Sequence, residues 1–397
     1  MTKKSNRILF TLGAIALAVA LIIILSLIGG QSRGPLKGLL SRAGSVVSNV
    51  ETKIVLGQRK TKRSDNLKWF SSCTHDRSVL LKSKVIYLGA FDNEARESFE
   101  NIINLEDSLN TTFPLIHIYT AWGSKTEQEF PRTQVKAILG MGSLPVITWE
   151  PWLTDFDATK FPGIRKPKER DKGGLSDIAK GVYDQYIIEW AREAKEVNGL
   201  IMLRFGHEMN DPYRYPWGPH NNKAGDFIAA WKHVRDVFKA VGATNIIWIW
   251  SPHPAYGWFD AYYPGDAQVD YIGVGSLNYG TVAPWSQWWS FDEIFGKHYA
   301  ELKKFGKPLM ITEFGSLNVG GDRRKWYKDA LRTLPWKYPA LKAIIFFHYS
   351  YDMTTTQQSL NWYIKNDPET FRTVMQQLRV WPDSVKSQKI TLQKKEK

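Results

Sequence analysis

From residue 85 onward the chain alternates between two rhythms. Short, almost wholly apolar runs recur eight times: VIYLGAFD (85–92), FPLIHIYTAWG (113–123), LPVITWEPW (144–152), GLIMLRFGHEMN (199–210), NIIWIWSPHP (245–254), VDYIGVGSLNYG (269–280), KPLMITEFGS (307–316) and LKAIIFFHYS (341–350). Each ends in polar or aromatic residues and is followed by a longer segment. Strands that are apolar throughout are buried on both faces, which is the condition of a parallel sheet. Several of the longer segments carry a helical period. Ile178, Val182, Tyr186, Trp190 and Ala194 recur every four residues, predicting a helix over 178–198 that ends at Gly199. Phe227, Trp231, Val234 and Phe238 form one stripe over 225–241. Eight β runs alternating with helices predict an α/β fold of the (β/α)8 TIM-barrel type. An open doubly wound sheet would place a glycine-rich phosphate turn after its first strand, and residues 88–93 (LGAFDN) carry none. The charged segment 160–177, with its Gly and Pro, is predicted to be a long surface loop after the third strand.

The first 84 residues follow another pattern. Ile8 to Ile28 is an uncharged apolar run. As a helix it would measure about 31 Å, enough to cross a bilayer core. A cleaved signal peptide has a shorter apolar stretch and a small-x-small cleavage site; this run is longer and no Ala-x-Ala follows it. An uncleaved anchor is therefore expected. Lys3, Lys4 and Arg7 before the span favour a cytoplasmic N-terminus, although Arg33, Lys37 and Arg42 after it weaken the asymmetry. The expected organisation is a cytoplasmic stub and transmembrane anchor (1–30), a basic linker or stalk (31–84), an extracytoplasmic barrel domain (85–380) and a basic tail (381–397). The stalk either lies against anionic headgroups or is simply solvated.

Charge changes the picture little. The formal net charge is +14, yet residues 85–379 carry 33 basic and 34 acidic side chains, so only the ends are basic. A basic groove for nucleic acid is not expected in the folded body. The single cysteine, Cys73, excludes a disulfide framework and a cysteine-based zinc site.

Strand C-termini of such a barrel face its functional mouth. Read in order, they offer Asp92; Trp122; Trp149 and Glu150; Arg204, His207, Glu208 and Asn210; Trp250 and His253; Asn278 and Tyr279; Glu313; His348 and Tyr349. Glu208 and Glu313 lie far apart in sequence but would converge across the mouth. Paired carboxylates in an aromatic setting suit glycoside hydrolysis, one carboxyl donating a proton and the other attacking the anomeric carbon. Arg204, at even spacing from Glu208, would point inward and hold Glu313 ionised. His207 has the opposite parity and would reach the mouth only where the strand ends. His207-Glu208 does not open an HExxH motif, because Asp211 stands at the last position. No GxSxG elbow and no phosphate loop is present, and His117, His233 and His298 lack ligand spacing. Aromatic residues make up 13% of the chain. Trp190 and Trp231 read as helix packing. Trp122, Trp149, Trp217, Trp258, Trp285, Trp288 and Trp289 read as strand-end or loop residues, some of which would stack on sugar.

These residues carry a family resemblance. LRFGHEMN (203–210) with YPWG (215–218), KPLMITEFG (307–315), ITWEPW (147–152) and VDYIGVGSLNYG (269–280) together resemble glycoside hydrolase family 26 over residues 85–380. The resemblance implies a (β/α)8 retaining endo-β-glycanase, most often a β-mannanase and sometimes a β-1,3-1,4-glucanase or xylanase. It implies Glu208 as acid/base, Glu313 as nucleophile, Arg204 and Tyr279 as orienters of the nucleophile, His207 at the cleavage subsite and Trp149 stacked near it. Trp122, Asn210, Tyr213, Trp217, Trp285 and His348 are the further candidates for sugar contact. No metal or organic cofactor is implied. The chain departs from the family's mannanases at Asp211 and Tyr213, where they often carry Gly and Trp, and at FFHYS, where the eighth strand often ends in a Trp platform. An anchored glycanase would suit trimming of the cell's own exopolysaccharide beside its synthesis machinery. A non-catalytic glycan-binding partner of a polysaccharide synthase is the reading from another class, and it would normally have lost one of the two carboxylates.

Overall fold

The computed structural model describes residues 63–95, 98–356 and 358–381. The expected anchor and basic tail lie outside these residues. Among the described residues no helix is long and apolar enough to cross a membrane.

Each of the eight apolar runs contains one strand: β1 (Tyr87–Asp92), β2 (Leu115–Ala121), β3 (Leu144–Glu150), β4 (Ile201–Phe205), β5 (Ile246–Trp250), β6 (Tyr271–Asn278), β7 (Leu309–Ser316) and β8 (Leu341–His348). They pair in sequence order, all parallel, and β8 closes on β1 as a complete barrel. The two-residue period of a strand divides its side chains between two packed layers. One set meets inside the barrel: Tyr87, Leu115, Val146, Met202, Ile247, Ile249, Met310 and Ile345 belong to a single buried cluster. The other set meets the surrounding helices, as when Trp149 packs on Trp190 of the helix Asp184–Lys195.

The lower end of the barrel is plugged by residues expected to belong to the stalk. Leu67, Phe70, Cys73 and Leu80 are buried in the same cluster as Tyr87 and Leu115. The plug is also bonded in place: Leu200 N–H donates to Thr74 O at 2.7 Å, and Tyr271 Oη donates to Leu80 O at 3.3 Å. Arg77 donates to Ile246 O and pairs with Asp270. The barrel unit therefore begins at or before Arg63, not at residue 85; its first 22 residues carry too few apolar positions to show a period, yet those few are the ones buried.

The helical expectation holds at Ala224–Val241, where Phe227, Trp231, Val234 and Phe238 are all buried and Gly242, at φ 84°, ends the helix in the left-handed conformation. It fails at 178–198. Two helices, Gly174–Ala179 and Asp184–Lys195, replace the single one, because Gly181 takes φ 83° between them and leaves Val182 exposed. The charged loop 160–177 is pinned rather than loose. Arg170 is 1% exposed and donates to the carbonyls of Leu153, Thr154, Phe156 and Arg165.

Close strand approach shows at Gly89 of β1, where a Cβ would lie 2.5 Å from Ile345 Cδ1 and 2.8 Å from the backbone oxygen of Leu115. The carbonyl belongs to the ladder and cannot swing aside. Gly89→Ala should destabilise the fold by about 1–3 kcal/mol, the usual cost of overpacking, measured as a lower denaturant midpoint with an unchanged slope; an unchanged midpoint would contradict this packing.

Candidate active site

At the upper end of the barrel the inward-facing residues turn from apolar to polar and charged. Glu313 lies where the β7 ladder slips, between Ile311 and Phe314. The slip, a β-bulge, turns two neighbours inward: Thr312, whose methyl lies 2.8 Å from where a Cβ on Gly273 would sit, and Glu313, which reaches Arg204. Arg204 Nη1 donates to Glu313 Oε1 at 2.6 Å, and Tyr119 Oη donates to the same oxygen at 2.7 Å. Arg204 is fully buried; its Nε donates to Ser251 Oγ at 2.9 Å and its Nη1 to Thr148 Oγ1 at 3.3 Å. Thr148 Oγ1 also meets His117 Nε2 at 2.7 Å. Burial pushes the Glu313 carboxyl up, but the Arg204 charge and the Tyr119 hydroxyl outweigh it, and the net result is a pKa below the ordinary value. Burial likewise opposes the Arg204 charge, and Glu313 overcomes it. Burial, reinforced by Arg204, drives His117 down to about 3, so it is neutral.

Glu208 arrives by a different device. β4 ends at Phe205, and Gly206 and Glu208 both adopt left-handed backbone, at φ 51° and 52°. The turn is bolted to its neighbours: Gly206 N–H donates to Trp149 O (3.0 Å), Glu208 N–H to Ser251 O (2.7 Å), and Trp217 Nε1 to His207 O (2.7 Å). Asn210 spans to the loop after β5, donating to His253 O and Gly257 O and accepting from His253 N–H. Glu208 Oε2 is buried without a hydrogen bond, and Arg214 Nη1 stands 3.6 Å away. A Cβ built on Gly275 of β6 would lie 3.5 Å from Glu208 Oε1 and 3.7 Å from Glu313 Oε2, so the two carboxyls face each other across at most about 7 Å.

His207 is in the mouth because the strand stops before it. Its Nε2 meets Tyr215 Oη at 2.9 Å. Burial, with the Arg204 and Arg214 charges, drives its pKa far down, so the ring is neutral. Glu150, the last residue of β3, lies 4.0 Å from His207 Nε2 and accepts from Trp152 Nε1 at 3.3 Å. Burial raises its carboxyl to about 7.

Several candidates fall elsewhere. Trp122 and Trp149 have no exposed surface; they pack on each other and on Tyr186 and Phe205, in the layer between barrel and helices, and cannot stack on a ligand in the mouth. Their strand parity is outward. His348 is outward for the same reason and packs on Tyr363. Asn210 is used up on backbone groups. Trp217 is buried, supporting the turn and stacking on Tyr215. The Tyr279 hydroxyl pairs with Arg214 and Thr355; Tyr119 is the tyrosine on Glu313. Tyr213 and Trp285 are exposed on the rim, Trp285 edge-on to Tyr279. Sequence reasoning names Glu150 as a strand end without giving it a role, and passes over Tyr119, Tyr215 and Arg214. Parity holds the signal for Tyr119 and Glu150: Tyr119 is two residues beyond His117, and Glu150 two beyond Thr148, all facing inward.

Among the described residues, Glu208, Asp211 and His253 are the group whose ligand atoms converge, all within 4.8 Å of one another. Arg214 already sets a positive charge beside Glu208, and Asp211 Oδ1 accepts the N–H groups of Tyr213 and Arg214. These contacts make the group a braced loop rather than a cation cage.

With this geometry in hand, the chain can be set beside known proteins. The Glycosyl hydrolase family 26 model matches residues 169–313. Endoglucanase H of Acetivibrio thermocellus is 31% identical over 264 residues, which is 64% of this chain and 26% of that protein. Mannan endo-1,4-beta-mannosidase of Bacillus subtilis is 24% identical over 180 residues, 43% of this chain and 42% of that protein. The chain thus spans between a quarter and somewhat over two fifths of these relatives. Among solved structures, the catalytic domain of the Bacillus sp. JAMB-750 GH26 endo-beta-1,4-mannanase shares the fold, with a TM-score of 0.55 at 14% identity, covering 75% of this chain and 86% of that one.

The electrostatics of Glu313 can be tested apart from any activity. Arg204→Met removes the charge and leaves burial as the largest influence, so the Glu313 carboxyl should then titrate above the ordinary glutamate value of about 4.3. Carboxyl-carbon NMR of the labelled side chain reads this directly, and titration still below the ordinary glutamate value would refute the assignment of Arg204 as the ionising group.

Proposed function

The chain belongs to glycosyl hydrolase family 26, and from that membership we propose that it is a retaining endo-β-glycanase working by double displacement. The supporting observation is the asymmetry of two facing carboxyls: Glu313 holds two donors on one oxygen and is kept ionised, while Glu208 Oε2 has no hydrogen bond. In the first step Glu313 attacks the anomeric carbon as Glu208 gives its proton to the departing glycosidic oxygen. A covalent glycosyl ester forms on Glu313 and the aglycone leaves. In the second step Glu208 takes a proton from water, the water oxygen attacks the same carbon, and the ester bond breaks. Retention calls for carboxyls about 5–5.5 Å apart, against about 6.5–9.5 Å for inversion; the bound of about 7 Å from Gly275 admits the first and leaves only the lower edge of the second. Neutral His207, with Tyr215, offers the sugar a hydrogen-bonding edge, and Tyr213 and Trp285 offer rim platforms for further sugar units.

The substrate of this reading is a β-1,4-linked polysaccharide of neutral hexoses. β-Mannan is supported by the family motifs and the mannosidase relative; a β-glucan is supported by the higher identity to an endoglucanase. Asp211 and Tyr213, where mannanases of the family often differ, also favour keeping the glucan. Side-by-side product analysis on mannan, lichenan, cellulose and xylan separates them. Anchoring by Ile8–Ile28, with the barrel outside the membrane, completes the proposal on the strength of that run's length and lack of charge. It places the enzyme where it would trim the cell's own exopolysaccharide.

Glu313→Ala should abolish hydrolysis while leaving oligosaccharide binding intact. Glu208→Ala should slow cleavage of natural polysaccharide by about 10²–10⁴-fold yet spare formation of the glycosyl ester from an aryl glycoside with a good leaving group. Equal losses on both substrates would remove the acid role from Glu208. For the anchor, full-length chain should sediment with membranes after a carbonate wash and a variant lacking residues 1–30 should not; a soluble full-length chain would overturn it.

A further inference from the structure

The mouth holds a third carboxyl that neither step of the proposed reaction uses. Glu150 closes β3 on the same inward parity as Val146 and Thr148. Its Oε2 is occupied by Trp152 Nε1, whereas its Oε1 carries no hydrogen bond and lies 4.0 Å from His207 Nε2. The side chain keeps 17% of its surface open, so this oxygen faces the cleft rather than the core. The charged and titratable groups around it are Arg204 from β4, His207, Glu208 and Tyr215 from the turn and loop after β4, Glu313 from β7 and Tyr349 after β8. Arg204 bonds Glu313, not Glu150, so no guanidinium claims the free oxygen.

We infer that Glu150 touches substrate: its free Oε1 binds a hydroxyl of the sugar seated between β3 and β4, and its place beside Glu208 and Glu313 confines that position to neutral sugars. This rests on the glycanase reading and adds a specificity residue to it. A carboxyl and a sugar hydroxyl suit each other in either protonation state, the carboxylate accepting and the carboxylic acid donating. A hexuronate there would bring a further negative charge against two or three carboxyls in a partly dry cleft, where like charges repel more than in water. Burial, the largest influence on Glu150, holds the balance of its two forms near neutrality, so hydroxyl binding should also vary with pH there.

The test is oligosaccharide binding by calorimetry in a Glu313→Ala background, with mannohexaose, cellohexaose and a mixed-linkage glucan hexamer, beside kinetics in the active chain. Glu150→Ala should weaken Kd about tenfold, as expected for one lost hydrogen bond to a buried polar group, and raise KM more than it lowers kcat. Glu150→Gln keeps the shape and the donor. It should bind within about threefold of its background, lose the change in Kd between pH 6 and 8, and gain affinity for a hexuronate oligomer. If Glu150→Ala fails to fold, the flattened pH dependence of Glu150→Gln decides alone. A parent that cleaves glycan while both variants keep its Kd and its pH dependence overturns this inference only. A chain that neither binds nor cleaves any of these sugars overturns the glycanase reading with it.

Discussion

The buried pair of Arg204 and Glu313 is the constraint around which the upper barrel is organised. Taking a guanidinium and a carboxylate out of water costs several kcal/mol each, and the pair recovers this only when the remaining donors and acceptors are satisfied. The structure largely meets that condition with polar residues from β2, β3 and the end of β5, although Arg204 Nη2 stays buried without a hydrogen bond. Tyr119 from β2 shares the carboxylate, Thr148 from β3 and Ser251 just beyond β5 take the guanidinium, and His117 backs Thr148. Each lies on the inward face of its strand or just past its end, so the network exists only when the barrel has closed in register. Forming the fold and ionising Glu313 are in this sense one event.

Facing that rigid centre is a carboxyl carried by a turn. Glu208 owes its position to backbone bonds of its turn with Trp149 and Ser251 and to Asn210 and Trp217, not to a strand of its own. Arg214 extends the same loop across to Thr354, Thr355 and Tyr279, tying the loops after β4, β6 and β8 into one rim. One carboxyl is therefore held by charge and the other by loop architecture, which suits one that stays ionised and one that exchanges a proton.

Much of this was legible in the sequence, and the rest has physical reasons for being hidden. The eight strands declared themselves because buried parallel strands are apolar throughout. The same property hides which face is which: Trp149 and Glu150 are adjacent in the sequence, and only the two-residue count from Val146 separates a packing tryptophan from a mouth carboxyl. Tyr119 was discoverable by the same count, whereas the bulge that turns Glu313 inward leaves no local signature. The exchange of Tyr279 for Tyr119 as the partner of Glu313 depends on Arg214, and no spacing in the chain announces that contact. The plug at residues 63–81 reads as stalk because it continues the basic stretch that starts at residue 31, and its few apolar side chains, which do the burying, show no period.

The left-handed backbone at Glu208 has a wider implication. A side chain with a Cβ in that conformation costs about 1–2 kcal/mol relative to glycine, and this one also carries an oxygen buried without a hydrogen bond. Selection for thermal robustness alone would replace it, and a single-nucleotide change from a glutamate codon reaches glycine. Persistence of the acid at this site is thus a debt carried against the fold's own interest, and under the glycanase reading a laboratory lineage screened only for heat resistance would be pulled toward sturdy, inert descendants.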